Sequence, residues 1–205
     1  KFLNEFPTSP YAEKVSSYLV EVYMNTRSYD AALKSIDRIA KPSAQILEAK
    51  QKILFQLGTQ SFANADFEQA LKYLNQSIAI GQYNRQTKAD AYYWCGESYY
   101  RLNRMVEAAR DFNAYLQLTT QPNNEMYALA NYNLGYIAFH RKDYTQASNY
   151  FQKYVQLEKG ENATALADAY NRIGDCHLHV RNFEEAKQYY SQAEQMNTSS
   201  GDYSF

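Results

Sequence analysis

Between Phe183 and Ala193 the apolar and small residues Phe183, Ala186, Tyr190 and Ala193 recur every three to four positions. Glu184, Glu185, Lys187, Gln188 and Gln192 fill the gaps. That spacing places one stripe on one side of an α-helix and a solvated face opposite it. Over Ala128–Arg141 the pattern is different. Tyr132, Leu134, Tyr136, Ile137, Ala138 and Phe139 leave no continuous polar face, so this helix is expected to be buried on more than one side. The chain alternates between these two kinds of helix.

The alternation is periodic. A small residue recurs in the amphipathic helix as Ala32, Ala70, Ala108, Ala147 and Ala186, at spacings of 38, 38, 39 and 39. An apolar residue opens that helix at the same spacings, as Tyr29, Phe67, Met105, Tyr144 and Phe183. In the other helix a glycine recurs as Gly58, Gly96, Gly135 and Gly174, with Val20 in its place in the first unit. Five units follow, spanning 13–197 and starting near 13, 51, 89, 128 and 167. Residues 1–12 read as the tail of a preceding repeat and a junction, and 198–205 as a frayed end after Met196. Lys41-Pro42-Ser43, Gly81–Arg85, Thr119–Asn124 and Gly160–Asn162 are the breaker segments between units. The chain starts at Lys1 without Met, and reads as a segment of a longer protein.

The central stretch Ala89–Leu118 carries Tyr92-x2-Cys95-Gly96-x2-Tyr99 followed by Ala108-x3-Phe112, and resembles the tetratricopeptide repeat. The resemblance implies an all-α, right-handed superhelical solenoid of antiparallel helix pairs. It also implies a close helix approach at Gly96 and at Ala108. The period exceeds the family's roughly 34 residues. Because glycine and alanine are always 12 apart, the excess falls between one unit's second helix and the next unit's first, where longer helices are expected. A second resemblance lies in Phe6-Pro7-Thr8-Ser9-Pro10-Tyr11-Ala12. It is similar to a junction in tetratricopeptide proteins of the bacterial cell envelope, of the outer-membrane-assembly lipoprotein and Tol–Pal cell-division coordinator types. It points to a periplasmic or envelope location.

Composition narrows the partners. The 21 Lys and Arg nearly balance 22 Asp and Glu, and no basic run occurs, so nucleic acid and anionic membrane lose their electrostatic footprint. No apolar stretch is long enough to insert directly into a membrane. Two cysteines, Cys95 and Cys176, form neither a disulfide framework nor a zinc motif, and read as small buried hydrophobes. His177 and His179 are two apart on a helix and point to different sides, whereas His140 and His179 share a repeat position and line one edge. Asp168 and Arg172, four apart, read as a surface helix pair. No phosphate loop, metalloprotease or nucleophile-elbow motif is present, and the sequence implies no enzyme, no cofactor and no metal.

Aromatics make up 16 % of the chain, with 21 tyrosines and one tryptophan. The family resemblance places first-helix positions on a concave face. In the first unit these are Ser17, Tyr18 and Glu21; in the second, Phe55, Gln56, Thr59 and Phe62. The third contributes Tyr93, Trp94, Glu97 and Tyr100, and the fourth Tyr132, Asn133, Tyr136, Phe139 and His140. The fifth adds Asn171, Arg172, Asp175 and His179. Such a surface suits a peptide or protein partner, since Tyr and Trp give large contact area at low entropic cost. Trp94 with Tyr93, Tyr132 and Tyr136 is the expected anchor cluster. The family's clamp for a C-terminal carboxylate would use Asn133 and Arg172, but its other positions fall on Tyr93, Glu97 and Asp168, and two acids there oppose it. The alternative is a structural spacer or self-association module.

Overall fold

The structure, a computed structural model, describes residues 2–158 and 162–201, with side chains up to Met196. Among the described residues there are eleven helices and no strand. A short α1 (Phe2–Glu5) precedes five helix pairs. They are α2 (Ala12–Asn25) with α3 (Tyr29–Ile36), α4 (Ala44–Ala63) with α5 (Phe67–Ile80), and α6 (Arg85–Arg101) with α7 (Met105–Leu118). α8 (Glu125–His140) pairs with α9 (Tyr144–Leu157), and α10 (Ala163–His179) with α11 (Phe183–Gly201). The expected fold class, all-α helix pairs at a 38–39-residue period, is the one observed. Between pairs, residues 37–43, 81–84 and 119–124 lie outside any helix, so the longer helices expected there do not bridge the junctions. The expected frayed end is helical to Gly201. Residues 202–205, and most of the Gly160–Asn162 breaker, lie outside the described residues.

The chain divides into two compact units, Lys1–Thr119 and Thr120–Phe205. The first holds three helix pairs and the second two. Within each, successive helices pack on one another, and in the first unit α2 also reaches α4 and α4 reaches α6. This nearest-neighbour packing buries the stripe of each second helix. Ala32, Ala70, Ala108 and Ala147 are fully buried, and Ala186 nearly so.

The repeat glycine has a specific partner. A Cβ on Gly96 would lie 2.7 Å from the Phe112 ring, and one on Gly174 would lie 2.6 Å from Tyr190. Gly58 faces Leu74 and Gly135 faces Phe151 in the same way. Each first helix therefore gives up a side chain so that a large residue, four positions after the repeat alanine, can lie against its backbone. The first repeat solves the same problem with the opposite size choice. Val20 replaces glycine and Ile36 replaces the ring, and both are buried in one cluster.

Each pair is joined by a turn that the repeat pattern does not show. Arg27, Ala65, Asn103, Lys142 and Arg181 all have φ between 55° and 65°, the left-handed region usually taken by glycine at helix C-termini. The backbone N–H of the following residue reaches back to the last turn, as from Ser28 to Tyr23 O at 2.8 Å and from Arg104 to Tyr99 O at 2.8 Å. This bond satisfies an otherwise orphaned carbonyl. First helices start on side-chain caps: Ser43, Asn84, Asn124 and Asn162 each accept a bond from the backbone three residues on.

Candidate functional site

The residues expected on the partner-binding face occupy four first helices. Phe55 and Phe62 lie on α4; Tyr93, Trp94, Glu97 and Tyr100 on α6; Tyr132, Asn133, Tyr136, Phe139 and His140 on α8; Asn171, Arg172 and Asp175 on α10. All are half-buried except His140, which is exposed, and Tyr93, which is buried. The first six belong to one compact unit and the rest to the other, so each set is described by itself.

In the first unit Trp94 is the centre. Its ring meets Phe62 edge-on at 4.9 Å and Tyr93 at 5.4 Å, and Phe62 in turn meets Phe67 at 5.3 Å. Trp94 from the third repeat thus covers an aromatic pair of the second. Tyr93 is a correction to the expected anchor cluster. It is 4 % exposed, because its ring turns toward its own second helix and packs on Phe112 at 5.8 Å and Tyr115 at 5.4 Å. Burial pushes the Tyr100 phenol up, and the neighbouring Glu97 adds to it.

In the second unit Tyr132 holds the repeat position of Tyr93, and it too packs on second-helix rings, Phe151 at 5.8 Å and Tyr154 at 4.8 Å. Its hydroxyl, however, leaves the aromatic layer and donates to Asp168 Oδ2 at 2.8 Å. Tyr136 donates to the same oxygen. Asp168 is therefore not the isolated surface partner of Arg172 that the four-residue spacing suggests; it ties α10 to α8. Arg172 Nε lies 3.6 Å from Asp168 Oδ1, while Nη1 lies 2.7 Å from Asp175 Oδ2. Asp175 Oδ1 accepts from Tyr190 Oη at 2.7 Å. The guanidinium also sits over the Phe139 ring at 5.8 Å. Burial first, and then the bond to Asp168, push Tyr136 up to about 12 and Tyr132 higher still. Both phenols thus stay protonated and act as donors.

This network is only about two-thirds covered, its three charged side chains retaining 27–32 % exposure. It offers a partner aromatic edges, tyrosine oxygens and the remaining guanidinium donors. It does not offer an unpaired cation, since two carboxylates share Arg172; a partner's terminal carboxylate meets no free positive charge there. His179 stacks on Tyr144 at 4.2 Å, and the His140 ring lies 6.4 Å from Tyr136. Among the described residues no group of three or more His, Cys, Asp and Glu side chains is placed to hold a metal. Cys95 and Cys176 are free and buried. Burial raises both thiols, Cys176 to about 12, which removes the thiolate a nucleophile needs. No helix among the described residues is long and apolar enough to cross a membrane.

Paired helices with a small residue at each crossing and an aromatic, hydrogen-bonded first-helix face define a helical-repeat protein. Two family models, each described as tetratricopeptide repeat, match residues 55–125 and 126–199. The chain belongs to the tetratricopeptide-repeat family. No curated protein matches it significantly. Among solved structures it is similar to a MamA protein, with 18 % identity and a TM-score of 0.63 over 96 % of this chain and 98 % of that one. It is also similar to BtubC from P. vanneervenii, with 14 % identity and a TM-score of 0.64 over 92 % and 80 %. YrrB, described as a TPR protein with an unusual peptide-binding site, aligns with 15 % identity and a TM-score of 0.61 over 95 % and 91 %. At these identities the likeness is one of fold.

Proposed function

We propose that the chain is a non-enzymatic interaction scaffold that holds a peptide or protein partner on its first-helix faces. The observation that carries this reading is the partly exposed network of Tyr132, Tyr136, Arg172 and Asp175. Its polar groups are already oriented by one another and by the rings beneath, so a partner orders few side chains on binding. Trp94 beside Phe62 is the equivalent hydrophobic contact in the first unit. The similarity to YrrB, whose described property is a peptide-binding site, is compatible with this reading. The junction around Phe6–Ala12 adds the proposal of an envelope tetratricopeptide protein.

The test is selection of binders from a displayed random-peptide library on the immobilised chain. Enriched peptides are expected to lose about tenfold or more in affinity on Arg172→Gln, corresponding to about 1.4 kcal/mol, while the circular dichroism spectrum stays unchanged. Failure to enrich any peptide, or binders indifferent to Arg172→Gln and to Trp94→Ala, would count against a first-helix site. One observation favours the structural-spacer reading instead: Tyr93 and the rings of Tyr132 and Tyr136 serve packing between helices.

A further inference from the structure

The second compact unit holds a hollow apart from the Arg172 network. It lies between α9, the C-terminal part of α10 and the start of α11, with a volume of about 240 Å³. No Lys, Arg, Asp or Glu lines it. Thr145 and Ser148 bring hydroxyls, Asn149, Gln152 and Asn182 bring carboxamides, and His177 brings an imidazole. Tyr144 and Val180 add apolar surface. Two of the polar groups are held in place by their neighbours. Gln152 Nε2 donates to Ser148 Oγ at 3.2 Å and to Tyr189 Oη at 3.4 Å, which links α9 to α11. His177 stacks on Tyr189 at 5.3 Å. Both of its ring nitrogens are buried without a hydrogen-bond partner among the described residues. Buried polar atoms call for a partner, and a hydroxyl seated in the hollow can serve one nitrogen as donor or the other as acceptor.

Repeat register shows that this chemistry is particular to the fifth repeat. In the first compact unit the positions of Thr145, Asn149 and Asn182 are held by Glu68, Lys72 and Arg104. Tyr99 stands where His177 does, 8 % exposed, with the Arg104 guanidinium over its ring at 4.7 Å. There the groove between second helices is charged and holds a large ring. Its counterpart at α9, α10 and α11 is uncharged and hollow.

We propose that this hollow binds a neutral sugar, one pyranose ring, at a site separate from the partner-binding face. A charged ligand would leave water without meeting a counter-charge, and an apolar one would strip hydroxyls and amides of theirs. The six hydrogen-bonding side chains around the hollow exceed what one carboxamide of a peptide side chain can satisfy, which is about four bonds. A pyranose matches them, since each hydroxyl both donates and accepts and the ring's C–H faces suit Tyr144 and Val180. The volume is below the roughly 300–1,000 Å³ of pockets for drug-sized ligands, which fits one ring. His177 lies two residues on from Asp175 and five from Arg172, on another side of α10, so the sugar and a partner on the first-helix face do not compete.

NMR titration of the full chain with glucose, galactose, mannose and N-acetylglucosamine tests this, with glucuronate, galacturonate and acetamide as charged and amide-only probes. At least one neutral sugar should bind with a Kd of about 1 mM or tighter, and the charged sugars about tenfold more weakly or not at all. Asn149→Ala and His177→Ala should each weaken that binding about tenfold or more. Asn149 is exposed, and Ala138 holds the His177 position in the fourth repeat, so both variants should fold, which melting curves check. A methyl glycoside that binds as well as the free sugar marks a glycan end as the ligand, and one that binds more weakly marks a free monosaccharide; both outcomes keep the site. The proposal is overturned if no neutral sugar binds up to about 10 mM, if charged sugars bind as well, or if acetamide alone binds. Binding that is indifferent to either variant overturns it as well.

Discussion

Asp111 is a buried carboxylate only partly satisfied by its neighbours. It is 1 % exposed, its Oδ1 is 2.7 Å from Arg110 Nε, and its Oδ2 is buried without a hydrogen-bond partner among the described residues. Burial pushes its carboxyl above the usual range, and the Arg110 guanidinium offsets only part of this. A carboxyl raised in the folded state favours folding while it is protonated. Its contribution is therefore fully present below the unfolded value, near pH 4, and is lost as pH rises through the raised folded value. Asp111→Asn should flatten that loss, so that melting temperature falls less between about pH 4 and neutrality than in the wild type. Thermal melts across that range check it. At the opposite extreme, Ala108 is fully buried at a helix crossing, and Ala108→Phe should cost about 1–3 kcal/mol by overpacking. A variant that melts like the wild type would place the repeat register wrongly. Alanines and glycines of this kind were legible in the sequence because a recurring small residue has one physical meaning, close approach. The large residue opposite each glycine was only half legible. Leu74, Phe112, Phe151 and Tyr190 share a register but not a chemistry.

At the scale of the helix and its turn, the five left-handed residues are the feature that residue type concealed. Arg, Ala, Asn and Lys occupy a conformation that glycine signals, and only the backbone shows it. The left-handed region costs a non-glycine residue of order 1 kcal/mol, partly offset for glycine by its larger unfolded-state entropy. Ala65, at φ 60°, has no side chain able to recover that cost through a local hydrogen bond. Ala65→Gly is expected to raise stability by about 0.5–1 kcal/mol in denaturant melts, whereas the same change at fully buried Ala70 should lower it. The polar link between α8 and α10 was likewise invisible. Tyr132 and Asp168 are 36 residues apart, and helical spacing pairs Asp168 with Arg172 alone. Removing the carboxylate with Asp168→Ala leaves two tyrosine hydroxyls and one side of Arg172 without a partner. The expected cost is about 1 kcal/mol or somewhat more, the site being partly solvated.

For the molecule as a whole, the aromatic residues divide into those that are structure and those that are surface. Composition and repeat register place many tyrosines on first helices, and register separates the faces only coarsely. One residue's rotation decides whether a ring meets its own second helix, as Tyr93 does, or the previous repeat, as Trp94 does. The binding we propose would fall to the rings and charges that remain partly exposed after both kinds of packing are satisfied. Trp94 is the sharpest case, being the single tryptophan and in contact with Phe62 at 4.9 Å. The direct measurement takes a peptide enriched on the chain and compares its affinity for wild type and Trp94→Ala, each protein's melting temperature being recorded alongside. A scaffold that grips its partner through this ring loses roughly thirty-fold in affinity, about 2 kcal/mol. Its melting temperature also falls, because the ring covers Phe62. Affinity that stays unchanged while stability drops would make Trp94 purely a packing residue and contradict the binding face assigned to it.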